Sequence, residues 1–143
     1  GYNGLCRFNR RGLFNVPFGR HETINYAPDL QAYAPAMRGW RFSTGDFEKL
    51  ALEPGDFVYA DPPYDVEFTQ YSKEAFGWDE QERLATWLSG HDGPVVLSNQ
   101  KTQRVVDLYD GLGFKLEFKD APRMIACNGD RTPAVEVIAT RGL

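Results

Sequence analysis

The run "VYADPPYDV", residues 58–66, sets the strongest limit on how this chain can fold. Val58, Tyr59 and Ala60 suit a buried sheet strand, and that strand must stop at Asp61. Pro62 and Pro63 have no N–H to place in a ladder, and a central strand does not tolerate them. Each proline fixes its own φ and restricts the residue before it, so Asp61 to Tyr64 form a stiff loop. In an open α/β sheet, ligand sites gather beyond the carboxyl ends of the strands. Asp61 stands at such an end.

The rest of the chain supplies elements for such a sheet. Residues 1–20, rich in Gly, Asn, Arg and Phe without periodicity, read as loop or short irregular elements. "PDLQAYAPAM" reads as a short helix interrupted near Pro35. "GWRFSTGDFEKLAL" reads as a short strand near Trp40 to Phe42, a turn at Gly45 and a helical turn from Asp46. Residues 65–78 are an aromatic-rich connection, long enough to be a functional loop. "DEQERLATWL" places Leu84, Trp87 and Leu88 at helical spacing, with Asp79 as N-cap and Gly90 as the stop. "GPVVLSN" is a buried strand, and "KTQRVVDLYDGLG" a helix closed by glycine. "FKLEF" and "AVEVIAT" are strands expected to pair antiparallel across "DAPRMIACNGDRTP". This order predicts a three-layer α/β sheet with an antiparallel carboxyl-terminal hairpin.

A chain of 143 residues suits one compact domain. It has no apolar run of membrane-spanning length and no signal-peptide pattern, so a cytoplasmic setting is expected. Cys6 and Cys127 are too few and too far apart for a disulfide framework or a zinc knuckle. His21 and His91 stand apart from any acidic cluster at ligand spacing, so no metal is expected. The net charge of −4 hides an asymmetry: residues 1–20 carry Arg7, Arg10, Arg11 and Arg20 and no acid. A basic block beside an acidic body suits either an anion-binding face or a solvated surface.

The chemistry open to the loop follows from its parts. The Asp61 carboxylate and the Pro62 carbonyl are two acceptors on rigid backbone, and Tyr64 adds a flat ring. Together they match an exocyclic amine on a planar heterocycle. Accepting both N–H hydrogens of an adenine amine favours a localised lone pair on nitrogen, and the ring holds the base by stacking. Catalysis would then rest on positioning and preorganised acceptors. The plainer reading is a proline turn that ends a strand, with Asp61 as a cap.

At this point the sequence resembles a known family. DPPY after an apolar strand resembles the catalytic motif of amino-methyltransferases that use S-adenosylmethionine. "GYNGLCRFNRRGLFNVPFGR" resembles the target-recognition segment of the Dam-type DNA adenine-N6 methyltransferases. "GDF" at Gly45 to Phe47, "FTQYSKEAF", "LSN" and "RMIACNGDR…VEVIAT" resemble further blocks of that family in the same order. The resemblance implies a DNA target-recognition segment over residues 1–39. Residues 40–143 would then form the carboxyl-terminal part of a Rossmann-like methyltransferase domain. It implies that Asp61, Pro62, Pro63 and Tyr64 hold a flipped-out adenine. Asp46 and Phe47, with Asp61, would contact S-adenosylmethionine.

The same resemblance implies roles on double-stranded DNA. Tyr2 and Asn3 would fill the gap left by the extruded base, Leu5 and Pro17 touch a thymine methyl, and Arg7 reads a guanine. Arg20 would hold a phosphate, and the implied target is GATC. Arginine on guanine and apolar contact with a thymine methyl are the expected major-groove pairings. Arg10 and Arg11 suit phosphate neutralisation, which positions without specifying. An amine inside the base stack is out of reach, so the base must flip.

The family's glycine-rich F-x-G-x-G cofactor motif does not occur here, so the chain is expected to be the carboxyl-terminal portion of a methyltransferase. His21 stands where the family usually has tyrosine. Ser98 and Asn99 either line the site or form a turn. Phe68, Tyr71 and Phe76 either close over the base or pack the loop, and Glu136 has a structural reading. Two alternatives to adenine methylation remain: transfer to another amine, such as cytosine N4 or a protein glutamine, and an inactive remnant that only binds DNA. A monomer is the expected state.

Overall fold

The computed structural model describes residues 7–16, 31–65, 76–121 and 134–143. These residues fall into two units, one holding 7–16 and 31–44, the other 45–65, 76–121 and 134–143.

In the first unit a tight hairpin joins Phe8 to Phe14 through an isolated antiparallel bridge. Asn9 shapes its turn, its Oδ1 accepting from the N–H of Arg11 at 2.9 Å and of Leu13 at 3.1 Å. Gly12 sits in the turn at φ 74°, a conformation that glycine adopts without steric penalty. A single 3-10 turn spans Gln31–Tyr33, and irregular turns continue to Gly39. The strand expected near Trp40 to Phe42 does not form. A strand needs a ladder partner as well as β-forming side chains, and none of the described residues pairs with this stretch.

The second unit is a four-stranded sheet with two helices. Its elements are β1 (Val58–Ala60), α1 (Trp78–Ser89), β2 (Val95–Gln100), α2 (Gln103–Gly111), β3 (Lys115–Ala121) and β4 (Ala134–Arg141). The strand order is β1-β2-β4-β3. β1 runs parallel to β2, with Val58 opposite Val95 and Ala60 opposite Leu97. β4 is antiparallel to both β2 and β3. The expected carboxyl-terminal hairpin forms, and its second strand lies inside the sheet, leaving β3 at the edge.

Alternation along β2 shows where the helices lie. Val95, Leu97 and Asn99 have no exposed surface, and side chains two apart share a face. The Asn99 amide touches Gln81 of α1 and Tyr109 of α2, so both helices cover that one face. Leu84, Ala85 and Leu88 of α1 and Val105 and Tyr109 of α2 close a core against Val137 and Ala139 of β4. Full burial of a side chain such as Leu88 or Leu97 contributes about 1.5–3 kcal/mol. Within this unit, no helix among the described residues covers the opposite face, where Tyr59 lies largely exposed.

Helix boundaries follow both local and tertiary causes. α2 starts at Gln103, two residues inside the run read as its helix, where Thr102 caps it, its Oγ1 accepting from the Val105 N–H at 3.4 Å. α1 starts earlier than expected, with Gly77 as N-cap and Asp79 inside the first turn. The added residues are Asp79 and Trp78, and Trp78 packs against the core and carries the Arg104 guanidinium 4.5 Å above its ring. Asp79 and Glu80 still favour this end electrostatically, because it carries the positive end of the helix dipole.

Candidate active site

The loop from Asp61 to Asp65 crosses the carboxyl end of β1, beside the carboxyl end of β2. Two consecutive residues of β2 hold it. Ser98 Oγ donates to Asp61 Oδ1 at 2.7 Å. Asn99 Oδ1 accepts from the Asp65 N–H at 2.9 Å. Neighbours in a strand point to opposite faces, so Ser98 and Asn99 grip the two ends of the loop from the two sides of the sheet.

On the Ser98 side, the Asp61 carboxylate is exposed and Tyr64 is half-buried. The Tyr59 hydroxyl lies 3.4 Å from Ser98 Oγ. Burial pushes the Tyr64 phenol above its ordinary value, and the nearby Glu136, Asp61 and Tyr59 add to this against the opposing Ser98 hydrogen bond. The ring is therefore a neutral surface near the Asp61 side chain. Ser98 fills one acceptor position on Asp61 Oδ1. No donor among the described residues meets Asp61 Oδ2 or the Pro62 carbonyl.

On the Asn99 side the loop is fully engaged. Gln81 Nε2 donates to the Pro63 carbonyl at 2.7 Å. Asn99 Nδ2 donates to Gln81 Oε1 and to the Tyr109 hydroxyl, both at 3.0 Å. Burial pushes the Tyr109 phenol up to about 12, with the Asn99 hydrogen bond opposing, so it remains neutral. The buried Asp65 carboxylate accepts from Thr102 Oγ1 at 2.8 Å and from Arg104 Nε at 2.6 Å, and Arg104 Nη2 meets its other oxygen. Burial alone would raise the Asp65 pKa; the Arg104 and Thr102 hydrogen bonds outweigh it and hold the carboxyl below its ordinary value.

Asp46 and Phe47 belong to the same unit. Asp46 caps the 3-10 turn Phe47–Lys49, its Oδ1 accepting from the Glu48 N–H at 3.0 Å. Arg83 of α1 reaches both its oxygens, at 2.7 and 3.1 Å, and also pairs with Glu80 and Glu48. The Arg83 hydrogen bond is the main cause of a lowered Asp46 pKa, followed by that of the Glu48 N–H. The Arg83 guanidinium lies 4.2 Å above the Phe47 ring, whose other neighbours are Trp87 at 5.5 Å and Phe76 at 6.5 Å. Phe76 thus packs on Phe47.

Of the residues expected to meet DNA, Arg7, Arg10 and Arg11 are described, all exposed in the first unit. Asn15 holds Arg7, taking Nε on its Oδ1 and Nη2 on its backbone carbonyl, both at 3.0 Å. Tyr2, Asn3, Leu5, Pro17 and Arg20 lie outside the described residues, as do Cys6, His21, Phe68, Tyr71 and Cys127. His91 bonds the Asp56 carbonyl at 2.9 Å. Among the described residues, no three metal-ligating side chains gather, and no helix is long and apolar enough to cross a membrane.

Reasoning from sequence missed Gln81, Asp65, Thr102, Arg104 and Tyr109 as supports of the loop. One signal was available. Residues 81, 84, 85 and 88 form the buried stripe of α1, and Gln81 is the polar member of that stripe. A buried amide needs partners, so its position already implied a polar network beneath.

Comparison with known proteins gives the following. The family described as D12 class N6 adenine-specific DNA methyltransferase matches residues 1–125. The chain is 37% identical to the Retron Ec67 DNA adenine methylase of Escherichia coli, over 99% of the chain and 52% of that protein. It is 36% identical to the type II methyltransferase M.MjaIII of Methanocaldococcus jannaschii, over 91% of the chain and 49% of that protein. It is 33% identical to the DNA adenine methylase of Escherichia coli, over 95% of the chain and 52% of that protein. The chain spans about half the length of these curated relatives.

Proposed function

The chain belongs to the D12 class of N6 adenine-specific DNA methyltransferases, and from that premise we propose that it serves to methylate N6 of an adenine flipped out of duplex DNA, within GATC, with S-adenosylmethionine as donor. The four-stranded sheet is then part of a Rossmann-like, three-layer methyltransferase domain, preceded by a DNA-recognition segment. The observation that carries this reading is the state of the loop: Ser98 anchors one oxygen of Asp61, while Asp61 Oδ2 and the Pro62 carbonyl meet no described donor.

Asp61 and Pro62 accept one N–H each from the adenine amine, which favours a lone pair localised on nitrogen. Tyr64 stacks on the base and holds it in reach, and Pro63 keeps the loop stiff. As the methyl group arrives, the amine nitrogen becomes positive, and the Asp61 carboxylate stabilises that charge. One N–H proton then leaves, through Asp61 or to water. Bound S-adenosylmethionine would supply an electrophilic methyl group on a sulfonium, the electron pair of the broken C–S bond staying with sulfur as a neutral thioether. The residues fit its nucleoside: Asp46 keeps acceptor capacity on Oδ2 for a ribose hydroxyl, and half-buried Phe47 offers apolar ring surface.

On the DNA, Arg7 reads a guanine edge, and the Asn15 clasp limits the geometries its guanidinium can take. Arg10 and Arg11 neutralise phosphates. Tyr2 and Asn3 fill the vacated stack, Leu5 and Pro17 contact thymine methyl groups, and Arg20 holds a phosphate beside the flipped nucleotide. We read the protein as cytoplasmic, a compartment in which a DNA substrate can be met, and as a monomer.

The test is incubation with labelled S-adenosylmethionine and an unmethylated GATC duplex, with a GTTC duplex as control. Label confined to the GATC duplex as N6-methyladenine is the expected result. Duplex binding with no label on either DNA, in this chain and in a full-length relative carrying its residues, would replace methyl transfer by passive DNA binding.

A further inference from the structure

Beneath the 61–65 loop lies a polar chain whose direction is set by backbone at both ends. Asn99 Oδ1 faces two N–H groups, those of Asp65 at 2.9 Å and Gln100 at 2.8 Å. Backbone N–H groups only donate, so the oxygen of the amide must point there. Asn99 Nδ2 is thereby turned toward Gln81 and Tyr109. Gln81 must then accept with Oε1, which aims its Nε2 at the Pro63 carbonyl, 2.7 Å away. All four hydrogen-bonding positions of Asn99 are used, and Asn99 has no exposed surface. Reversing either amide would set acceptor against acceptor at Pro63 or donor against donor at Asp65.

We propose that Gln81 and Asn99 are positioning residues for methyl transfer: the one-way chain from the Asp65 N–H to the Pro63 carbonyl fixes the height and tilt of the loop, and so aims Asp61, the Pro62 carbonyl and Tyr64. Pro63 and Asp65 flank Tyr64, so their two backbone bonds hold the peptide units on either side of its Cα. Proline geometry stiffens the loop internally but does not seat it on the sheet. Gln81, on α1, supplies that seating from a separate element, which makes loop position depend on helix–sheet packing. Asp65, Thr102 and Arg104 brace the far end of the loop. The proposal rests on the methyltransferase reading for its kinetic consequence; the loop geometry stands apart from it.

The experiment uses the full chain labelled with 3-fluorotyrosine, the Tyr64 resonance being assigned through Tyr64→Phe. Gln81→Leu removes both bonds at similar volume. Gln81→Glu keeps the acceptor for Asn99 and loses the donor to Pro63. Both variants are expected to shift or split the Tyr64 fluorine resonance. Both should also lower kcat by about 100-fold, the scale of an ångström-level misplacement, with duplex Kd unchanged. In the wild-type chain, the Gln81 side-chain amide protons are expected to exchange slowly. An unmoved Tyr64 resonance in both variants, or Gln81 protons exchanging like those of a free amide, would overturn the proposal. The wild-type exchange decides even if neither variant folds. Shifted resonances with no methyl transfer, in this chain and in a full-length relative carrying its residues, would instead refute the methyltransferase reading and leave the seating role intact.

Discussion

Ser98 Oγ donates to Asp61 Oδ1 at 2.7 Å, and this one bond ties the exposed carboxylate to the buried centre of the sheet. The bond occupies an acceptor position that an incoming amine would otherwise meet in several geometries. It also restricts rotation of the carboxylate, leaving Oδ2 turned away from the anchor. Asn99, the next residue, holds the other end of the loop from the opposite face. The loop is thus gripped by a dipeptide whose side chains point apart because strand geometry requires it.

Replacing Asp61 with alanine should abolish methyl transfer while duplex binding persists, since the arginines proposed to meet DNA lie elsewhere in the chain. Ser98→Ala should lower kcat about 10-fold with little change in duplex affinity, and reduce stability by about 0.5–1.5 kcal/mol for one lost hydrogen bond. Urea unfolding, single-turnover kinetics and duplex titration separate these effects. Equal loss of kcat and duplex affinity in Ser98→Ala would contradict an orienting role.

Asp65 makes stability depend on acid. Its folded pKa lies below the ordinary 3.8, because the Arg104 and Thr102 hydrogen bonds outweigh the opposing effect of burial. The unfolded chain therefore takes up this proton at higher pH than the folded one. The stabilisation is fully present above the ordinary value and is lost as pH falls through the lower folded value. Urea midpoints between neutral and strongly acid pH should show this fall in the wild type. Asp65→Asn should flatten it; an unchanged slope would mean that Asp65 is not its source.

Gly93 allows a close crossing before β2. A Cβ there would lie 2.3 Å from the Asp56 carbonyl oxygen and 2.9 Å from that of Pro54, both backbone atoms with little freedom to move. Gly93→Ala should therefore destabilise by about 1–3 kcal/mol through overpacking. Thermal unfolding measures it, and Gly55→Ala, where the added carbon meets nothing within 4 Å, is the control.

Arg7→Ala should relax discrimination at one base pair of the target, at a loss of about 1–3 kcal/mol. Arg10→Ala and Arg11→Ala should weaken binding to all duplexes and reduce its salt dependence. Competition with single-base variants of GATC distinguishes the two behaviours. Unchanged discrimination in Arg7→Ala would remove its reading role.

Much of the fold was legible wherever cause and effect lie close in sequence. Prolines at 62 and 63 end β1 at Ala60, and Gly90 closes α1. Alternation marks β3 and β4 as strands. Misreadings arose where a distant partner decides. Trp40 to Phe42 carry β-forming side chains, yet a strand exists only with a neighbour to complete its ladder. Asp79 is a good cap by composition, yet Trp78 extends α1 because its ring gains burial and the Arg104 cation.

The site divides in the same way. By itself the sequence determined the stiff DPPY loop at a strand end, because proline geometry and the missing N–H groups are local properties. Only the tertiary structure decided which residues seat that loop. Ser98 and Asn99 come to Asp61 and Asp65 through strand pairing, and Gln81 reaches Pro63 because α1 packs on the Asn99 face. Hydrogen bonds between residues 18 to 39 positions apart depend on the packed core that brings their atoms within 3 Å, and no local pattern encodes that distance.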